Sequence, residues 1–115
     1  MFGSLQSFMD ELYRLKAEFF PIARLETVYS RFDRSSLRLV IDAELFIDIY
    51  FNADNGRFDF TLIRANKRIF GYDNLKNWHY HPVEQPDLLI DCDPPSLRLI
   101  IEKTARVIAA LGSTR

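Results

Sequence analysis

The stretch L-R-L-V-I-D-A-E-L-F-I-D-I-Y-F-N-A-D-N-G-R-F-D-F-T-L-I-R, from Leu37 to Arg64, decides the fold. Leu37, Leu39, Ile41 and Ala43 alternate with Arg38, Val40 and Asp42, and Leu45, Ile47, Ile49 and Phe51 alternate with Phe46, Asp48 and Tyr50. After a break, Phe58, Phe60 and Leu62 alternate with Asp59 and Thr61 within Arg57–Arg64. A period of two, dense in β-branched and aromatic residues, specifies strands with one apolar face. The break at Asn52-Ala53-Asp54-Asn55-Gly56 holds the Asn-Gly pair of a hairpin turn, and Ala65-Asn66 leaves room only for a second tight turn before a strand from Lys67 to Tyr72. Links this short make neighbouring strands antiparallel, since a parallel return needs a crossover of about a dozen residues or more.

Outward from this core, a first strand is expected from Arg24 to Phe32, turning at Asp33-Arg34-Ser35-Ser36. Before it, Leu5, Phe8, Met9, Leu12, Leu15 and Phe19 recur at helical spacing, giving a helix from about Ser4, a suitable N-cap, to Glu18, with Pro21 closing it. Beyond Asp73 the pattern lapses through Asn74 to Asp93, with one short strand available within Asp87–Asp91. Asp93-Pro94-Pro95-Ser96 then opens a second helix with a stripe of Leu97, Ile100, Ile101, Thr104, Val107, Ile108 and Leu111, stopping at Gly112. The expected fold is α+β: one αβββββα domain over residues 1–115, a five-stranded antiparallel meander with both terminal helices on one face.

Fifteen Lys and Arg against sixteen Asp and Glu leave a net charge of −1, so any contact with nucleic acid must be local. Arginine and lysine gather at Arg31, Arg34 and Arg38 and at Arg64, Lys67 and Arg68, patterns that solvated turn tips also produce. No apolar run reaches the roughly 20 residues of a membrane span. The single Cys92 forms no internal disulfide, and with no secretory leader pattern at the N-terminus a cytoplasmic location is expected.

The chemistry concentrates in F-G-Y-D-N-L-K-N-W-H-Y-H-P, Phe70 to Pro82, which holds both histidines of the chain. On an extended backbone His79 and His81 project to one side and Trp78 and Tyr80 to the other. Metal ligation would need further donors, with Asp73, Asp91, Cys92 and Asp93 as the available ones. Two histidines with scattered acids are a weak metal pattern, so no metal and no cofactor are expected. A metal-free alternative is acid–base chemistry on RNA, whose 2′-hydroxyl supplies an internal nucleophile, with His79, His81 and Asp73 as catalytic candidates. Arg64 and Arg68 would then hold phosphate, and Tyr72, Trp78 and Tyr80 would stack bases. The competing readings are aromatic residues that pin the loop to the sheet, and Asp73-Asn74 shaping a strand exit. Cys92 has no base paired with it in sequence and reads as an incidental thiol.

The order of features resembles the TumE-like family of small prokaryotic toxin–antitoxin proteins. The matching pieces are Phe70-Gly71-Tyr72-Asp73-Asn74, His79-Tyr80-His81-Pro82 and Asp93-Pro94-Pro95-Ser96-Leu97. A second histidine cluster often found in that family is replaced here by Gln85-Pro86-Asp87-Leu88-Leu89-Ile90-Asp91. The resemblance implies a toxin component silenced by a cognate antitoxin and directed at RNA or translation. If such a chain is an enzyme, the histidines read above make it a metal-independent, ribonuclease-type one; a homodimer is compatible with it. The alternative is a non-catalytic interaction module that docks a partner through the sheet edge or the 72–82 loop.

Overall fold

A computed structural model of the chain describes residues 2–113. Among them are two helices, α1 (Leu5–Phe19) and α2 (Leu97–Ser113), and seven strands: β1 (Arg24–Ser30), β2 (Arg34–Val40), β3 (Leu45–Asn52), β4 (Phe58–Arg64), β5 (Lys67–Asp73), β6 (His79–His81) and β7 (Ile90–Asp91). Every strand pairs antiparallel with its chain neighbour, so the sheet order is the chain order. The fold is therefore the expected α+β meander between terminal helices, with seven strands in place of five. The two added strands have three and two residues, too few for alternation to show.

Local chemistry sets the element ends. The Ser4 hydroxyl accepts from Ser7 N at 3.1 Å and caps α1. In α2 the cap is Ser96, whose hydroxyl accepts from Leu99 N at 3.1 Å, and Pro94 and Pro95 lie ahead of the helix, not in its first turn. The first hairpin turns two residues earlier than its serines suggest: Arg31 N donates to Arg34 O at 2.8 Å, and Ser35 and Ser36 lie within β2. Buried Ser35 donates its hydroxyl to Tyr29 O at 3.2 Å, so a side chain that favours turns is satisfied inside the sheet. Strand β2 stops at Val40 because the Asp42 carboxylate gathers the amides of Glu44 and Leu45 at 2.9 and 3.0 Å.

Both helices cover one face of the sheet. Phe8 of α1 stacks on Phe51 of β3, with 4.7 Å between centroids, and meets Phe58 of β4 edge-on. Leu12 and Leu15 of α1, Leu97, Ile100 and Ile101 of α2, and the inward residues of β2 to β5 complete a single core. Arg98 of α2 donates to both carboxylate oxygens of Glu18 on α1, at 2.6 and 3.0 Å, and ties the helices together.

The other face is free of helices and carries two rows of side chains set by register. One runs His79, Asp73, Asp59, Tyr50, Ser36 from β6 to β2; the next runs His81, Gly71, Thr61, Asp48, Arg38. A bulge in β5 makes these rows. Below it Ile63 pairs with Arg68, above it Leu62 pairs with Phe70, and Ile69 is the extra residue between. Without that residue the register set by the Ala65-Asn66 turn would send Asp73 into the core and Phe70 to the open face.

Candidate active site on the open sheet face

Strand β5 delivers Asp73, and the short loop after it delivers the histidines. Asp73 Oδ1 accepts from Leu75 N at 3.0 Å, an Asx turn that starts the reversal, and Lys76 completes it in the left-handed region with φ of 68°. Strained backbone of this kind often lies beside functional groups. The chain returns as β6, which sets His79 directly opposite Asp73 and His81 opposite Gly71. Gly71 presents no side chain between His81 and the carboxylate. An added Cβ there would come within 2.8 Å of the Phe60 carbonyl oxygen, so the sheet itself demands glycine.

The two imidazoles converge on one carboxylate oxygen. Asp73 Oδ2 lies 3.0 Å from His79 Nε2 and 3.4 Å from His81 Nε2. The rings meet edge to face with centroids 5.4 Å apart. On the far side of each ring, His79 Nδ1 is 3.0 Å from Asn77 O and His81 Nδ1 is 2.9 Å from Pro86 O. All three residues are nearly enclosed: Asp73 is 9% exposed, His79 8% and His81 4%. Their ligating atoms fall within 4.8 Å of one another, close enough to share one ion.

Arg57 joins this centre to the rest of the face. Its guanidinium is 3.7 Å from Asp73 Oδ1 and 3.7 Å from Asp59 Oδ2. It also lines an open depression of about 500 Å³ with Arg38, Asp48, Tyr50, Asp59 and Thr61. Arg38 there is held by Asp48 at 2.9 and 3.2 Å, and its guanidinium carbon sits 4.0 Å over the Phe46 ring. No family model, curated protein or solved structure matches the chain.

The structure brings together Asp73, His79 and His81 from the expected set and disperses the others. Tyr72, expected to stack bases, is 3% exposed, packed between Phe70 and Tyr80 on the core side, and offers no ring face to a ligand. Trp78, half-buried, leans on Phe58 with 5.5 Å between centroids, on the core side of the loop. Tyr80 pairs with Tyr72 on the same side, away from the histidines. Arg64 lies in a groove with Ile108 and Leu111 of α2, in the layer opposite the site. Arg68 is exposed at the start of β5, five residues along the strand from Asp73. Arg57 is the arginine at the centre, and sequence reasoning passed over it. Alternation through Arg57, Asp59 and Thr61 already placed it on the polar face; its link to Asp73 needed the register that the bulge sets. Asn74 is architectural: its side chain accepts from Phe58 N at 2.7 Å and donates to Gly56 O at 2.8 Å, fastening the β3–β4 turn.

Proposed function

We propose that the chain is the toxin component of a prokaryotic toxin–antitoxin pair, acting on RNA through the centre formed by Asp73, His79 and His81. The convergence of both histidines on one buried carboxylate carries this reading, because a merely structural histidine pair has no need to share an acid. The resemblance to TumE-like proteins over the same residues supports it. Cleavage at a 2′-hydroxyl asks for proton transfer and an electrostatic hold on the phosphate. The Asp–His–His centre performs the first and Arg57 supplies the second, while the open depression beside them receives the strand.

The test is growth arrest on induced expression, together with RNA integrity, for the wild type and for H79A and H81A combined. Loss of arrest in a double variant that folds by circular dichroism is the expected result. Undiminished arrest would remove the centre from the activity.

A separate observation favours a docked protein partner. Edge strand β1 has Val28 and Tyr29 exposed and is flanked by Ile22 and Phe32, each 99% exposed. An unpaired edge bordered by apolar side chains is a template for an added strand, and the cognate antitoxin is the proposed occupant. Replacing Ile22 and Phe32 by Glu should abolish co-purification with the product of the adjacent gene; retention of the complex would exclude this edge.

A further inference from the structure

We propose that Asp73 Oδ2, His79 Nε2 and His81 Nε2 bind one divalent transition-metal ion. This goes beyond the reading above: with the ion bound neither ring keeps a nitrogen free for proton transfer, so the ion would take over that role from the histidines, and its binding stands independently of RNA as a substrate.

The tautomers decide it. A backbone carbonyl can only accept, so Nδ1 of each ring must carry the proton it gives to Asn77 O or Pro86 O. A neutral ring then has its lone pair on Nε2, and both Nε2 atoms face the same carboxylate oxygen at 3.0 and 3.4 Å. Three acceptors thus point at one another. A metal cation accepts all three lone pairs at once.

The two oxygen–nitrogen distances suit it, and the two Nε2 atoms, within 4.8 Å of each other, would draw together on a shared ion. Metal bonds to imidazole nitrogen and carboxylate oxygen of about 2.0–2.2 Å, at angles between octahedral and tetrahedral, place neighbouring ligand atoms about 3.0–3.5 Å apart. The outer contacts are also those of a metal centre. Ligating histidines commonly give their other N–H to a backbone carbonyl or carboxylate, which fixes the ring and its tautomer, and both rings here do so. The second oxygen of Asp73 is held by Leu75 N and faced by Arg57. Two imidazoles and one carboxylate leave coordination positions for a water or substrate oxygen, as reactive and not closed structural sites do. The sequence alone pointed away from metal because it offered an H-x-H pair with Asp73, Asp91, Cys92 and Asp93 as scattered donors and nothing to choose among them. The bulge at Ile69 supplies the third ligand by turning Asp73 to the histidine face.

The full chain, stripped of metal with EDTA, is titrated with Co²⁺ while visible absorption is followed, and Zn²⁺ is then used to displace it. One saturable equivalent with ligand-field bands, displaced by Zn²⁺, is expected in the wild type, with a rise in melting temperature. H79A, H81A and D73N should each weaken Co²⁺ binding by about tenfold or more. C92S should bind as the wild type does, which separates this site from the thiol. Nitrogen shifts of both imidazole Nε2 atoms on Zn²⁺ addition to the wild type provide a second measurement that needs no variant to fold. The proposal is overturned if folded wild-type protein gives no saturable Co²⁺ spectrum, if Zn²⁺ leaves both rings unshifted, or if the histidine variants bind Co²⁺ as tightly. Because no RNA is present, neither result depends on the proposed activity.

Discussion

Gly71 marks how closely β5 lies on β4. The obstacle to a side chain there is the backbone carbonyl of Phe60, which cannot rotate away as a flexible side chain would. Gly71→Ala should destabilise the protein by about 1–3 kcal/mol, as overpacking does, and should disturb His81 and Asp73 on either side of it. Urea unfolding measures the first effect, and histidine ring NMR the second; an unchanged midpoint would mean that the strands separate at no cost. Cys92 tests the electrostatics near the other end of the site. Burial, then the neighbouring Asp93 carboxylate, pushes its thiol above the ordinary cysteine value. A raised value means less thiolate at a given pH, so reaction with a disulfide reagent at pH 8 should be slower than for free cysteine. Its half-maximal rate should come at a higher pH. A faster reaction would show an electropositive surrounding and a functional thiol.

Among the elements, the β4–β5 hairpin fixes the site, and its two-residue turn is strained. Ala65 and Asn66 both have positive φ, 49° and 66°, the backbone of a type I′ turn. Asn tolerates it and Ala does not, so Ala65→Gly should stabilise by about 1 kcal/mol, seen as a higher urea midpoint. A fall would show that the alanine methyl contributes packing that outweighs its strain. The same hairpin explains what could be read beforehand. Long strands with strict alternation, β3 and β4 above all, were legible because one buried face imposes the period. The histidines were legible as a pair for the same reason. Strand β6 was not, since backbone pairing with a strand already in place makes it and three residues carry no period; β7 falls within the Asp87–Asp91 stretch where a short strand was available, but its pairing with β6 was not legible. The bulge left no mark either. Ile69, Phe70 and Tyr72 are all apolar, so which of them points inward is settled by packing, and with it the side on which Asp73 emerges.

Over the whole molecule, charge limits how RNA could be held. The net charge is −1, and beside the site on the open face Arg38 is already matched by Asp48, and Arg57 by Asp59 and Asp73. Such a face attracts a polyanion weakly. A divalent ion at Asp73, His79 and His81 would tip the balance at that end to positive and offer a phosphate both the ion and Arg57. Affinity for a labelled single-stranded oligoribonucleotide, followed by fluorescence anisotropy at low salt, should therefore be slight in EDTA and rise by about tenfold or more with one equivalent of Zn²⁺. The gain should vanish in the variant with both H79A and H81A. Each phosphate neutralised on a single strand contributes about −0.7 to the slope of log affinity against log salt. Contacts confined to this end would give a slope of about −1.4, for two phosphates. Replacing Arg57 by Ala should remove one such increment and leave Zn²⁺ binding in place, which separates the clamp from the ion. Tight binding in EDTA with a much steeper slope would move the contact surface to the exposed Lys67 and Arg68 at the β4–β5 turn, since only an unmatched cluster of cations could displace that many counterions.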